Sequence, residues 1–187
     1  MPGALIFGTL SYFFASKIHK HQVIIYALTL GLAILGFIFE IEPLIEGELA
    51  IGIWLLVMFA GALNPKWKLT KQLRLIRKEL SILGFYLISV HGIHFFLAGE
   101  LEWFGIAALV LMLPLTIISY GFIRKKMQAK TWKNIQRTAY LIYALIYLHM
   151  IWLEAYIYVP IGFIYLGLKL YPLMVKKFQV KQKPAMF

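Results

Sequence analysis

Leu80-Ser81-Ile82-Leu83-Gly84-Phe85-Tyr86-Leu87-Ile88-Ser89-Val90-His91-Gly92-Ile93-His94-Phe95-Phe96-Leu97-Ala98 contains no Lys, Arg, Asp or Glu. A helix of that length at ~1.5 Å per residue approaches the ~30 Å hydrocarbon core of a bilayer. The basic stretch Lys66 to Lys78 precedes it, and the acidic pair Glu100 and Glu102 follows it. Basic residues gather on the cytoplasmic side of a membrane, so this segment reads as a spanning helix that runs outward.

The same reading extends in both directions. Apolar segments recur at 3–16, 22–39, 49–63, 103–123, 138–153 and 156–175. Between them, Lys17 to Lys20, Lys66 to Lys78, Arg124 to Arg137 and Lys176 to Lys183 hold every basic residue except Lys169, which lies near the inner end of the last segment. The alternate connections carry Glu40 to Glu48, then Glu100 and Glu102, then Glu154, and no basic residue. Seven crossings therefore alternate without conflict. Trp103 and Trp152 at outer ends, and Trp67 and Trp132 in inner loops, fit interfacial anchors.

With 187 residues, 61% hydrophobic and 14% charged, the chain has too little polar surface to cover a soluble globule. The expected fold is an all-α membrane protein: a six-helix transmembrane bundle with an additional short N-terminal hydrophobic segment. The chain forms one transmembrane domain over 1–187, with segment 3–16, a core over 22–175 and a basic cytoplasmic tail over 176–187. The N-terminus lies outside, segment 3–16 is a tilted or partial helix, and the location is the cytoplasmic membrane of a prokaryote. The net charge of +11 follows from topology and does not point to nucleic acid. Pro114 and Pro160 are expected to kink their helices. The stretch Lys66 to Lys78 places Leu69, Leu73 and Ile76 on one helical face and should lie along the inner surface of the lipid.

The absence of cysteine excludes disulfides, thiolate catalysis and iron–sulfur clusters. No phosphate-binding loop, Gly-rich dinucleotide fingerprint or HExxH occurs, and no acidic residue lies deep within a span. Histidine remains. His91 and His149 each sit about 16 Å from the inner end of an outward-running helix, level with each other. Two neutral imidazoles at equal depth can supply both axial ligands of a low-spin haem iron, a site suited to electron transfer. The bland alternative is a pair of histidines hydrogen-bonding between helices. His94, one turn outward of His91, could bond a haem propionate, replace His91 as ligand, or meet outer water. His19 and His21 read as solvated loop residues. The competing functional readings are a haem-free small-molecule transporter or scaffold, and a non-haem metal enzyme, for which the spans offer no carboxylate.

Arg77-Lys78-Glu79-Leu80-Ser81-Ile82-Leu83-Gly84-Phe85-Tyr86 before His91, and Trp132-Lys133-Asn134-Ile135-Gln136-Arg137-Thr138-Ala139-Tyr140-Leu141 before His149, resemble the ferric reductase-like transmembrane family over residues 45–170. Within it, the haem-binding membrane subunits of methionine sulfoxide reductase systems are the nearest in look. The resemblance implies haem b bound by His91 and His149. Electrons would pass from a flavin, nicotinamide or quinol donor to an outer acceptor, with membrane lipid and a redox partner protein or quinone as partners. Gln136 stands where many relatives carry a further histidine, which implies one haem in place of two. The chain has no nicotinamide- or flavin-binding domain of its own. A haem displaced outward would find no Lys or Arg for its propionates, so water, His94 or backbone donors must meet them, or the macrocycle points inward.

Overall fold

Every apolar segment folds as a helix in the computed structural model, which describes residues 2–181. The helices are α1 (Pro2–Lys20), α2 (Gln22–Ile38), α3 (Glu42–Ile45), α4 (Glu48–Ala60), α5 (Lys68–Leu75), α6 (Arg77–Ala98), α7 (Trp103–Ile117), α8 (Gly121–Arg124), α9 (Ala129–Gln136), α10 (Ala139–Trp152) and α11 (Val159–Lys181). A single 3₁₀ turn at Tyr156–Tyr158 precedes α11. No strand occurs among the described residues, and the chain is all-helical. Among the described residues α6 is the one helix long and apolar enough by itself to cross a membrane. Gly3–Lys20 and Gln22–Ile38 pass the same test only as a pair bent by 113°, and α4 and α7 are apolar but shorter.

Helices α4 and α6 pack against each other at the centre, where Ile53, Val57 and Ala60 meet Leu80, Leu83 and Leu87, all buried. Small residues bring the backbones close. A Cβ on Gly52 of α4 would lie 2.4 Å from the Ala4 amide nitrogen of α1, and one on Gly3 would lie 3.0 Å from Leu49 Cα. Ser11 and Ala15 continue this contact face of α1 and are almost fully buried. Apolar side chains alone do not drive helices together in lipid, and close backbone approach through small residues does. Helix α2 packs on α6, α7 packs between α6 and α10, and α5 tucks under α1 and α4 with Thr70 and Leu73 buried. Around this core Leu5, Val23, Leu28, Phe96, Val110 and Phe163 are more than half exposed.

Four details differ from the expectations. α1 runs to Lys20, because no helix breaker stands between Ser16 and Lys20. His19 is therefore helical, and its Nδ1 lies 2.9 Å from Oε1 of Glu79, a residue 1% exposed that Lys78 also approaches at 3.1 Å. A buried carboxylate needs such partners, and His19, on a helix and not in a loop, supplies one while its side chain stays 49% exposed to solvent. His21 is exposed at the start of α2. Second, α7 ends at Ile117 and not at 123: Pro114, which has no N–H to donate, sits in its last turn. Third, Pro160 is the second residue of α11, where no intrahelical donor is needed, and it starts the helix without kinking it. Last, α11 continues through Lys176 and Lys177 to Lys181, and the rest of the expected tail, 182–187, lies outside the described residues.

Gly52→Leu should separate α1 from α4 and cost about 1–3 kcal/mol. Gly31→Ala, at a helical glycine with nothing within 4 Å, should be neutral or stabilise by up to about 1 kcal/mol. Thermal unfolding of the purified variants checks the contrast.

Candidate functional site

His91 on α6 and His149 on α10 face each other with ring centroids 6.2 Å apart and planes at 75°. Each ring is held from behind. His91 Nδ1 lies 2.8 Å from the carbonyl oxygen of Ile45, the last residue of α3. A carbonyl only accepts, so Nδ1 carries the proton. Gly47 forms the turn into α4 with φ of +75°, and a Cβ there would be 3.3 Å from His91 Cγ. Both the left-handed backbone and the ring behind it call for glycine.

His149 Nδ1 lies 2.6 Å from Glu102 Oε2. Glu102 is the N-cap of α7, and its carboxylate accepts the N–H of Phe104 at 3.2 Å and of Gly105 at 2.7 Å. A Cβ on Gly105 would stand 3.0 Å from His149 Cε1, so glycine here allows α7 to approach α10. Burial pushes the Glu102 carboxyl up, but the Gly105 N–H, the His149 ring and the Phe104 N–H together outweigh it and hold the group below its ordinary value of 4.5.

Both imidazoles thus spend Nδ1 on a protein acceptor, and neither Nε2 has a hydrogen-bond partner among the described residues. That is the arrangement in which a histidine is oriented to ligate a metal through Nε2. The two rings border a cavity of about 760 Å³ between α4, α6, α7 and α10, whose walls include Trp54, Gly92, Gly105 and Ile146. Its size falls within the ~300–1,000 Å³ of small-molecule sites. Glu46, Glu48, Glu100 and Glu102 stand at the end formed by the α3–α4 and α6–α7 connections.

Among the described residues no group of three or more His, Cys, Asp or Glu side chains could hold a metal ion. The donor set at this point of the cavity is two imidazoles with ring centroids 6.2 Å apart, which is what a single metal atom or the iron of a haem would require of the protein. His94 does not join them: it is half-buried one turn outward, its ring 5.3 Å from that of Phe95, and it is not part of the cavity wall. Gln136 ends α9 and likewise lies away from the cavity.

The sequence reading missed Glu102, Ile45 and the two glycines. A signal existed for Glu102, an acidic residue immediately before an apolar helix, which marks an N-cap. The Ile45 carbonyl has no side-chain signature.

No protein-family model matches the chain, and no solved structure matches it. A relative from Treponema pallidum (strain Nichols), described as an uncharacterized protein, is 30% identical over 129 residues, covering 59% of this chain and 35% of that protein. The chain spans about a third of the length of this relative.

Glu102→Gln should destabilise the protein by about 1–2 kcal/mol at neutral pH through the weakened cap and the loosened imidazole. Because the folded carboxyl titrates below 4.5, the difference should be full above that value and close as pH falls through the lowered one. Unfolding midpoints of both proteins across a pH series test this, and a difference that persists unchanged in strong acid would contradict it.

Proposed function

We propose that the chain is a multi-pass b-type cytochrome of the cytoplasmic membrane, carrying electrons from an inner or in-membrane donor to an outer acceptor through one haem b held by His91 and His149. The observation that carries this reading is the facing imidazole pair, 6.2 Å apart, each tautomer fixed from behind, on the wall of a 760 Å³ apolar cavity. The exposed apolar periphery and the strict alternation of basic and acidic connections support a six-helix membrane core, with α1 as an added segment. Helices α4, α7 and α10, with 13, 15 and 14 residues, reach only about 20 Å each. The turns Gly61–Leu63, Ile118–Tyr120 and Leu153–Glu154 complete their crossings. The resemblance of the stretches before His91 and His149 to the ferric reductase-like transmembrane family supports the same assignment.

When bound, a haem would supply one-electron exchange between ferrous and ferric iron. His91 and His149 would hold it through Nε2. The Ile45 carbonyl and the Glu102 carboxylate hold the rings in the ligating tautomer. Trp54 and Ile146 contribute apolar surface to the cavity wall. Glu46, Glu48, Glu100 and Glu102 at the mouth repel anionic groups, and with His94 off the cavity wall a bound haem would have to carry its propionates away from this end. Gln136 in place of a further histidine supports one haem per chain, so the donor must reach mid-membrane, as a quinol in the bilayer or a flavin at the inner mouth would.

Detergent-purified protein should show sharp α and Soret bands on dithionite reduction, and a pyridine haemochrome assay should return about one haem b per chain. His91→Ala and His149→Ala should each abolish haem incorporation with membrane insertion intact, and Gln136→His should add a second haem. A protein with no absorption bands after expression with haem supplied ends the cytochrome reading and leaves the cavity as a small-molecule site.

A further inference from the structure

Gly61, at the end of α4, borders a gap that two cations share. A Cβ built on it would lie 3.5 Å from Lys169 Nζ of α11 and 3.7 Å from Arg77 Nη1 of α6. Neither cation has an acidic partner: all eight acidic residues lie among the described residues, and none is within ion-pair distance of Arg77 or Lys169. Their contacts are with tyrosines. Arg77 Nη2 donates to Tyr143 Oη and Lys169 Nζ to Tyr140 Oη, both at 3.3 Å. The tyrosine rings meet edge to face at 6.1 Å, and Tyr165 extends the wall from Tyr143 to Phe59.

Capping of α4 does not account for both charges. Arg74 already occupies the Ala60 carbonyl at 2.9 Å, and the Met58 carbonyl beside the gap accepts the Gly61 N–H at 3.2 Å. Helices α6 and α10 begin at this same end, at Arg77 and Ala139, and their two N-terminal dipoles outnumber the one C-terminal dipole of α4 that ends at Gly61. Two uncompensated cations in a partly buried aromatic surround repel each other, and an anion between them removes that cost.

We propose that Gly61, Arg77 and Lys169 form a phosphate-binding site, filled by the phosphodiester of an anionic phospholipid. The assignment of lipid rests on the membrane orientation proposed above, which sets this end of the bundle at the cytoplasmic headgroups, where basic pockets between helices hold such lipids. The tyrosine hydroxyls supply neutral donors beside the cations, and glycine at 61 puts no side chain against either cation, so the two long side chains can move apart to admit a phosphate. The same chemistry would accept a soluble phosphate, and the test separates the two sources.

The full chain, delipidated in detergent, is titrated with phosphatidylglycerol, with phosphatidylcholine and with inorganic phosphate while its unfolding midpoint is followed. Phosphatidylglycerol should raise the midpoint saturably, with little response to the other two. Arg77→Gln/Lys169→Gln should require about tenfold more phosphatidylglycerol for half the response. Gly61→Val, which keeps both cations but fills the gap, should show the same loss. Lys130→Gln/Lys133→Gln on exposed positions of α9 should respond as wild type, and circular dichroism confirms that each variant remains helical. A full response to inorganic phosphate that the Gly61 and cation variants lose keeps the site but overturns the lipid assignment. An unchanged response in those variants, or an equal loss in the α9 control, overturns the site. Protein that stays dispersed without detergent removes the membrane reading, and the inorganic phosphate titration in plain buffer still decides whether the site binds phosphate.

Discussion

The near-contact of backbones around α4 sets the positions of everything else. Gly52 lets α1 lie directly on α4, and on another face Trp54 of α4 rests against Gly84 of α6, whose added Cβ would be 3.1 Å from the indole nitrogen. With α6 fixed at that distance, its outer half is carried past the end of α3, so that the Ile45 carbonyl meets the His91 ring. The cavity lies beyond that contact, walled by α4, α6, α7 and α10, with α7 and α10 tied together there by Glu102 and His149. The glycines are therefore less a matter of flexibility than of distance: each removes a side chain where two helices, or a helix and a ring, have to touch.

Two histidines that look equivalent in a count of depth are unequal in their surroundings. His91 donates to a neutral carbonyl, and His149 donates to a carboxylate that two backbone amides also hold. The second arrangement draws the imidazole proton further toward its acceptor and enriches the opposite nitrogen in electron density. It also ties the ring to the first turn of α7, so that the cap of one helix and the orientation of a side chain on another are the same interaction.

The helical class and the level placement of His91 and His149 were legible because they depend on regular quantities: apolar run length, charge alternation and a constant rise per residue. Helix ends were less so. Pro160 and Pro114 look alike in sequence, yet one opens a helix and the other lies in a last turn, and only the position of each within its element decides which. His19 next to Lys17 and Lys20 reads as solvated, but tertiary packing brings it to Glu79. His94 and His91 share a stretch and nearly a face, and the path of α7 leaves only His91 at the cavity. Gly61 between Arg77 and Lys169 had no local signature, since three separate helices assemble the gap.

The contact between His19 and Glu79 joins residues 60 positions apart, and that separation bears on how the chain is made. At a synthesis rate of about 5–20 residues per second, α1 emerges about 3–12 s before its partner on α6 exists. During that interval its small-residue face, Gly3, Ser11 and Ala15, has no α4 to lie on for most of the time, and its inner end has no carboxylate. Glu79 in turn arrives with one oxygen that stays unpartnered even in the finished fold, so its burial leans on Lys78 beside it and on the histidine already waiting there. Helix α1 thus enters the fold early and is secured late, and its C-terminal end is closed only after α6 has been made.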